Sequence, residues 1–261
     1  MEGKLDGKWK ADGWSAPTRI GVIVPHADVG PEAEFGAMAG GEVSIHGGRV
    51  HFSAMRAGGV MDEKIAHQPV ETFTAPPHLD EAVESLATSP LDAIGLAFTS
   101  SAYKHGPDGE AALIERLKPV LRGIPATTTC LAAAKAFKQL GTKRLALINP
   151  PWFDDALSKE GAGYFEKAGI SVAHHGPCGL PSGQPHITPA GLYDWVAKVV
   201  KENDVDTVFV AGNGQRAVGI IDAVEKDFNV AMTSANQVLF WDTLSKCREK
   251  PVVTGYGRLF G

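Results

Sequence analysis

Two short stretches place hydroxyls, amides and backbone N–H groups directly behind an apolar run led by an acid. In the first, Asp92 leads into Ala93 to Phe98 and then Thr99-Ser100-Ser101. In the second, Asp206 leads into Thr207 to Ala211 and then Gly212-Asn213-Gly214, followed by Gln215 and Arg216. Such groups, gathered at a helix start or a tight turn, hold an anion such as a carboxylate. For Thr99 and Ser100 the plain alternative is capping of the next turn. Asp28 lies just past another apolar run and reads as a general base, an anchor for an amine, or a cap for the helix that Pro31 opens. His26 and His105 sit in strand-end loops and titrate near neutrality, either as proton carriers or as idle exposed side chains. Tyr103 stands in the same loop as His105. Cys130 follows Thr127-Thr128-Thr129 at a helix start, where a thiol pKa is lowered.

The elements that must position these groups alternate strand and helix. Strands are expected at Thr18–Val24, Val50–Met55, Ala93–Phe98 and around Pro125–Thr127, with Arg56–Pro77 mostly loop. Helices follow from Pro31, where Glu32 and Glu34 suit the positive end, from Leu79 to Leu86, and from Gly109 to Leu121. The later chain reads helix Thr129–Leu140 closed by Gly141, strand Lys143–Ile148, helix Asp154–Lys167, strand Ile170–Ala173, and a Gly/Pro-rich loop Pro177–Pro185. Helix Pro189–Val200 behind its Thr188 cap, strand Thr207–Ala211, helix Ala217–Phe228, strand Val230–Met232 and helix Asn236–Cys247 complete it. Apolar runs without periodicity are strands buried on both faces, so the class is α/β with parallel sheets and helices on each side.

The halves also read as copies. Arg19–Pro25 matches Arg144–Pro150, the Asp92 strand matches the Asp206 strand, and Pro125–Thr129 matches Val230–Ser234, all in the same order. A duplicated pair of lobes holds its ligand between them, where equivalent strand ends meet. The expected division is a flexible tail over 1–17, a first lobe over 18–127, a second over 128–250 and a tail over 251–261, with helices open to exchange between lobes. The 261 residues carry a net charge of −5 and no basic stripe, so nucleic acid is not an expected partner. No apolar run approaches the ~18 residues of a membrane helix, and the first 17 residues lack the apolar core of a signal peptide. Three cysteines without metal-ligand spacing suit a reduced, cytoplasmic setting. No cofactor or metal is expected.

At these residues the chain resembles the aspartate/glutamate racemase superfamily, in the branch of maleate cis–trans isomerase and arylmalonate decarboxylase. The resemblance runs from about Arg19 to Phe260 and is carried by IGVIVPHAD with Glu32, AFTSS, PATTT before a helix, GNGQR, and TSANQVLFW. It implies two similar Rossmann/flavodoxin-like lobes, each with a four-stranded parallel sheet, in a pseudo-twofold arrangement. The substrate carboxylate would lie in the cleft against Thr99, Ser100, Gly212, Asn213 and Gly214.

The departures are as informative as the matches. The resemblance implies a cysteine behind each central strand, serving as acid, base or nucleophile. This chain has Phe98 and Gly212 there, and Cys130 matches neither position. An asparagine of the isomerase pattern is Asp28 here. An ionised Asp28 beside a carboxylate at ~4 Å would cost several kcal/mol at an effective dielectric of ~20. Either Asp28 is protonated, or the ligand offers an amine, amide or hydroxyl to it. A tyrosine expected after Asn149-Pro150 is replaced by Pro151-Trp152. Cys178 reads as a surface thiol, Cys247 as helix core, Arg216 as an ion-pair partner, and Asn236 and Gln237 as ties from the last helix to the site loops. The expected function is a cysteine-independent enzyme of isomerase or lyase type acting on a small carboxylate or its amide. Asp28, His26 or His105 would move protons, and a homo-oligomer is possible. The alternative is a catalytically inactive relative that binds a small carboxylate.

Overall fold

Two four-stranded parallel sheets, built in the same strand order, carry the molecule. The computed structural model describes Gly13, Trp14 and residues 16–261, so most of the expected N-terminal tail lies outside the described residues. The first sheet has the order β2-β1-β5-β6, from β1 (Thr18–Pro25), β2 (Val43–Val50), β5 (Ala93–Leu96) and β6 (Ala126–Thr128). The second has the order β10-β9-β7-β8, from β7 (Leu145–Asn149), β8 (Val172–Pro177), β9 (Thr207–Val210) and β10 (Ala231–Ser234). Read from the opposite edge, the two orders correspond strand for strand. Strands β5, β7, β9 and β10 are buried along their whole length, as their unbroken apolar character requires.

The same device fixes the paired central strands of each sheet. The Asp92 carboxylate accepts from the Arg19 N–H at 2.9 Å, while its own N–H donates to the Arg19 carbonyl. In the second lobe the Asp206 carboxylate accepts from Lys143 and Arg144 N–H at 3.1 and 3.0 Å, and its N–H donates to the Arg144 carbonyl. The acid that led each motif is therefore a strand-start lock at the end of the sheet away from the cleft.

Helices α1 (Gly30–Ala39), α3 (His78–Leu86), α4 (Ser100–Leu117), α6 (Asp155–Lys167), α7 (Pro189–Glu202) and α8 (Ile221–Phe228) cover the sheets, and a short helix α2 (His67–Thr72) packs on α4. Helix α5 (Thr129–Leu140) follows β6 but sets Phe137 against Phe209 of β9 and Phe165 of α6. Helix α9 (Ala235–Ser245) follows β10 but packs on β5, β6 and α1. Each lobe thus lends one helix to the other's sheet. Among the described residues no helix is long and apolar enough to cross a membrane.

Beyond β8, which spans Val172–Pro177 rather than Ile170–Ala173, three elements differ from the sequence reading. The second strand is Val43–Val50, not Val50–Met55, because this edge strand is half-exposed and shows no apolar run. The stretch read as loop holds α2 and a hairpin, β3 (Met55–Arg56) and β4 (Val60–Met61), both too short to show a period. Helix α4 begins at Ser100 rather than Gly109. Gly106 at φ 69° absorbs the break that Gly106-Pro107 imposes, so the chain kinks and continues.

Candidate functional site

The carboxyl ends of the central strands β1, β5, β7 and β9 meet at a cleft. Its polar lining comes from Asp28, Thr99, Ser100, Gly212, Asn213 and Gly214. The two motifs predicted to face each other do so. The space between them opens to solvent.

On the first side, Thr99 precedes α4 with non-helical backbone, and Ser100 opens the helix. The first N–H groups of a helix lack an internal acceptor, so they and the two hydroxyls form a donor cluster. Thr99 is buried, and neither hydroxyl has a partner among the described residues. On the second side, Gly212 has φ 81°, and a Cβ there would collide with the Pro150 ring. Only glycine makes this turn, which leaves its backbone bare to the cleft. The Asn213 side chain is anchored from below: its Oδ1 accepts from Thr129 at 3.2 Å and its Nδ2 donates to Asn236 Oδ1 at 2.9 Å. Asn236 in turn donates to the Asn213 carbonyl at 2.9 Å and to Glu34 at 2.7 Å.

Glu34 closes that network from the other lobe, accepting from the N–H groups of Ala217 and Val218 at 2.7 and 3.0 Å. Burial pushes its pKa up to about 7, against the pull of these three donors. Glu32 pairs with Arg49. Glu32 thus stands in the first turn of α1 as expected, whereas Glu34 is turned across to the other lobe.

Asp28 is 2 % exposed and lines the cleft. Its Oδ1 accepts from the Gly30 N–H at 2.8 Å and from Gln184 Nε2 at 2.7 Å, while Oδ2 has no partner among the described residues. Burial raises its pKa above the usual carboxylate range, outweighing those two donors and the Arg49 charge. The bond to Gly30 is an Asx turn one residue ahead of the Val29 cap position, which itself carries no side-chain cap bond, and Oδ2 is left for the chemical reading. Among the residues lining the cleft, Asp28 alone has a titratable side chain.

The rest of the lining is apolar. Phe52, Phe73 and Phe98 stand edge to face with ring centroids 5.2 and 6.2 Å apart, joined by Met55, Met61 and Ile65 of the first lobe and Trp152 and Phe153 of the second. Lys64 reaches across to donate to the Pro151 and Phe153 carbonyls at 2.8 Å each, and the Ile65 N–H donates to Trp152, which fixes this wall to the second lobe.

His26 and His105 are not brought to the cleft lining. His26 Nδ1 accepts from the Phe52 N–H at 3.1 Å, and its ring stacks on His51 at 4.8 Å. His105 bonds Thr74 at 3.0 Å in a separate surface groove with Arg116, because the first turns of α4 carry it away from Ser100. Tyr103 is buried and donates to Asn149 at 3.1 Å. The thiols also depart from expectation. Cys130 is fully buried, and desolvation, aided by Glu110, pushes its pKa well up despite the helix start. Cys178 is buried rather than on the surface, bonded to Gln215 at 3.4 Å, with its pKa raised to about 11 by burial. Cys247 is core, as expected. Arg216 is exposed and forms no ion pair among the described residues, since its buried neighbours Gln215 and Ala217 turn it outward. Gln237 ties α9 not to the site but to the Tyr256 carbonyl in the C-terminal segment.

Sequence reading missed Glu34 as a bridge, Lys64, Gln184 and the hairpin wall. A helix-start acid gave a faint signal for Glu34. Nothing local marked the others, because each acts across the lobes. Among the described residues no group of three His, Cys, Asp or Glu is placed to hold a metal ion.

Solved structures with this arrangement carry related names. Unliganded arylmalonate decarboxylase superposes with TM-score 0.76 at 20 % identity, covering 93 % of this chain and 98 % of its own. The Pseudomonas putida S16 maleate isomerase with maleate gives 0.78 at 20 % identity, with 93 % and 97 % covered. The Nocardia farcinica maleate cis–trans isomerase with a covalently bound succinylcysteine intermediate gives 0.77 at 19 %, with 93 % and 98 % covered. No curated protein matches the chain in sequence. The arylmalonate decarboxylase family matches residues 20–260, nearly the whole chain, and on that match the protein belongs to this family.

Proposed function

We propose that the protein is a lyase that removes CO2 from a small malonate-type dicarboxylate bearing an apolar substituent, without thiol chemistry. The observation that carries this is the single titratable side chain on the cleft, Asp28. Moving a proton from one face of a carbon to the other needs two carriers, and this cleft supplies one. Decarboxylation needs one proton delivered to one face.

The carboxylate that stays lies against the Thr99 and Ser100 hydroxyls and the N–H groups of the first turn of α4, with the Gly212–Gly214 backbone opposite. The phenylalanine row and Trp152 receive the apolar substituent and surround the leaving carboxylate, whose charge is poorly accommodated there. Breaking the Cα–C bond releases CO2 and leaves its electron pair on the remaining carboxylate as an enediolate, which the donor cluster stabilises. The neutral Asp28 then gives its Oδ2 proton to Cα, and a proton from water restores it. The net change is one proton consumed and one CO2 released.

The family membership supports action on a carboxylate, and the succinylcysteine relative shows the thiol route that Phe98 and Gly212 here do not offer. Phenylmalonate in deuterated water is the test. Phenylacetate with one deuterium at Cα is expected, with Asp28→Asn binding the substrate but not turning it over. If calorimetry shows phenylmalonate and 2-alkylmalonates bound but no CO2 evolves, the lyase reading falls to the alternative of a carboxylate-binding relative.

A further inference from the structure

Gln184 belongs to the second lobe, on the Gly/Pro-rich segment between β8 and α7, yet its amide reaches the first lobe. Its Nε2 donates to Asp28 Oδ1 at 2.7 Å and lies 3.5 Å from the Gly214 carbonyl. Two glycines make room for it, one from each lobe. A Cβ on Gly59, in the β3–β4 hairpin, would stand 2.5 Å from Gln184 Oε1, and one on Gly214 would stand 2.6 Å from Nε2. Ser182 on the same segment donates to the Asp62 carbonyl at 2.6 Å, holding the segment against the hairpin. The amide is therefore seated in a slot shaped for it.

We propose that Gln184 is a positioning residue for Asp28: together with the Gly30 N–H it fills Oδ1, fixes the plane of the carboxyl group, and leaves Oδ2 as the oxygen that carries the proton toward the ligand. The proposal rests on the reading of Asp28 as a neutral donor given above. A neutral acid held this way presents the pattern of a primary amide, an acceptor filled by the protein and a donor turned to the ligand. Were Asp28 ionised, the same two bonds would persist, but a lone pair would face the incoming carboxylate. A carboxylate ligand and the Asp28 proton thus favour each other by linkage.

The sign of the test follows from the bond itself. An N–H donor to a carboxyl oxygen favours the ionised form, so removing it moves the titration midpoint upward. A residue that only packs the loop would alter stability and leave that midpoint in place. The experiment is carboxyl-carbon NMR on the full chain labelled at aspartate side-chain carboxyls, with the Asp28 signal assigned by its loss in Asp28→Asn. The midpoint of Gln184→Met is expected to rise by about half a pH unit or more over the wild type. Gly59→Ala, which crowds the amide out without changing it, is expected to move the midpoint in the same direction. Phenylmalonate added to the wild type is expected to raise the midpoint further. Equal midpoints in wild type and both variants overturn the role of Gln184. A midpoint that answers to Gln184 but falls or stays fixed with bound phenylmalonate instead sinks Asp28 as the carboxylate's donor, and leaves the positioning role standing.

Discussion

The two lobes agree at the bottom of their sheets and disagree at the top. Strand order, the pairing of central strands and the Asp92 and Asp206 locks repeat between them. At the carboxyl ends the repetition stops. The first lobe offers Asp28 with the Thr99 and Ser100 hydroxyls, whereas the second offers Pro150, Trp152 and the Gly212–Gly214 turn. Sheet formation constrains the bottom in both lobes alike. At the top the cleft is lined from two sides, and equal halves would supply equal groups. One titratable side chain facing a lining that has none is the asymmetry that the proposed one-sided protonation requires.

The largest effect is expected where that asymmetry is forced back. Gly212→Cys would place a side chain at φ 81° and drive its Cβ into the Pro150 ring. Left-handed backbone costs ~1–2 kcal/mol and overpacking ~1–3 more, so denaturant unfolding should show a loss of about 3 kcal/mol. Retention of wild-type stability would mean that the turn can reshape and that the second lobe could present a thiol.

Next is the seam on which α4 and α6 pack. Glu110 of α4 is buried against Tyr164 of α6, whose hydroxyl donates to it, and burial pushes the Glu110 pKa to about 7. A carboxyl raised from about 4.5 in the unfolded chain is protonated more fully in the folded one. Its contribution is complete below about pH 4.5 and is lost as pH rises through about 7. Glu110→Gln is already neutral and should flatten this part of the stability–pH curve. The wild-type loss between pH 5 and 8 that it removes is on the order of 2–3 kcal/mol. Parallel curves for the two proteins would show that Glu110 titrates normally.

Much of the fold was legible because the locks and the buried central strands declare themselves locally. Asp92 and Asp206 stand next to their strands, Gly141 and Thr188 stand at their helix ends, and β1, β5, β7 and β9 read as apolar runs, whereas the half-exposed edge strand β2 does not. The halves of the cleft were legible for the same reason, since Thr99-Ser100 and Gly212–Gly214 follow directly on β5 and β9. Groups recruited across the lobes were not. Gln184 is 156 residues from Asp28, and Glu34 is 202 from Asn236; no periodicity or spacing records such meetings. Burial also reversed local expectation at Cys130, where desolvation outweighs the helix start.

The repeated locks should respond in proportion to their bonds. Asp206 accepts from two N–H groups and Asp92 from one. Asp206→Ala should cost ~1–2 kcal/mol and Asp92→Ala ~1 kcal/mol in the same unfolding assay. The reverse order would mean that the lobes are less alike at the bottom than their geometry suggests. At the top, Thr99→Ala removes a hydroxyl with no partner in the protein. Stability should barely change, while calorimetry should find phenylmalonate bound about tenfold more weakly, the ~1.4 kcal/mol of one hydrogen bond to a charged group.

The smallest effect is expected from the thiols. Cys130, Cys178 and Cys247 are all buried, and burial raises each pKa, to about 11 for Cys178 and about 12 for Cys247. Alkylation requires the thiolate and access to it, and the folded protein offers little of either near neutral pH. Iodoacetamide should therefore leave phenylmalonate binding and any CO2 release within the error of the untreated protein. Cys130→Ser should do the same, apart from a small stability loss where a hydroxyl replaces a sulfur in an apolar site. L-Asp, L-Glu and maleate held with the protein in deuterated water should show neither deuterium wash-in nor fumarate. Rapid alkylation at Cys130 that abolishes activity and is slowed by phenylmalonate would place a nucleophile behind β6. The two lobes would then differ not in having one proton carrier between them, but in where the second one hides.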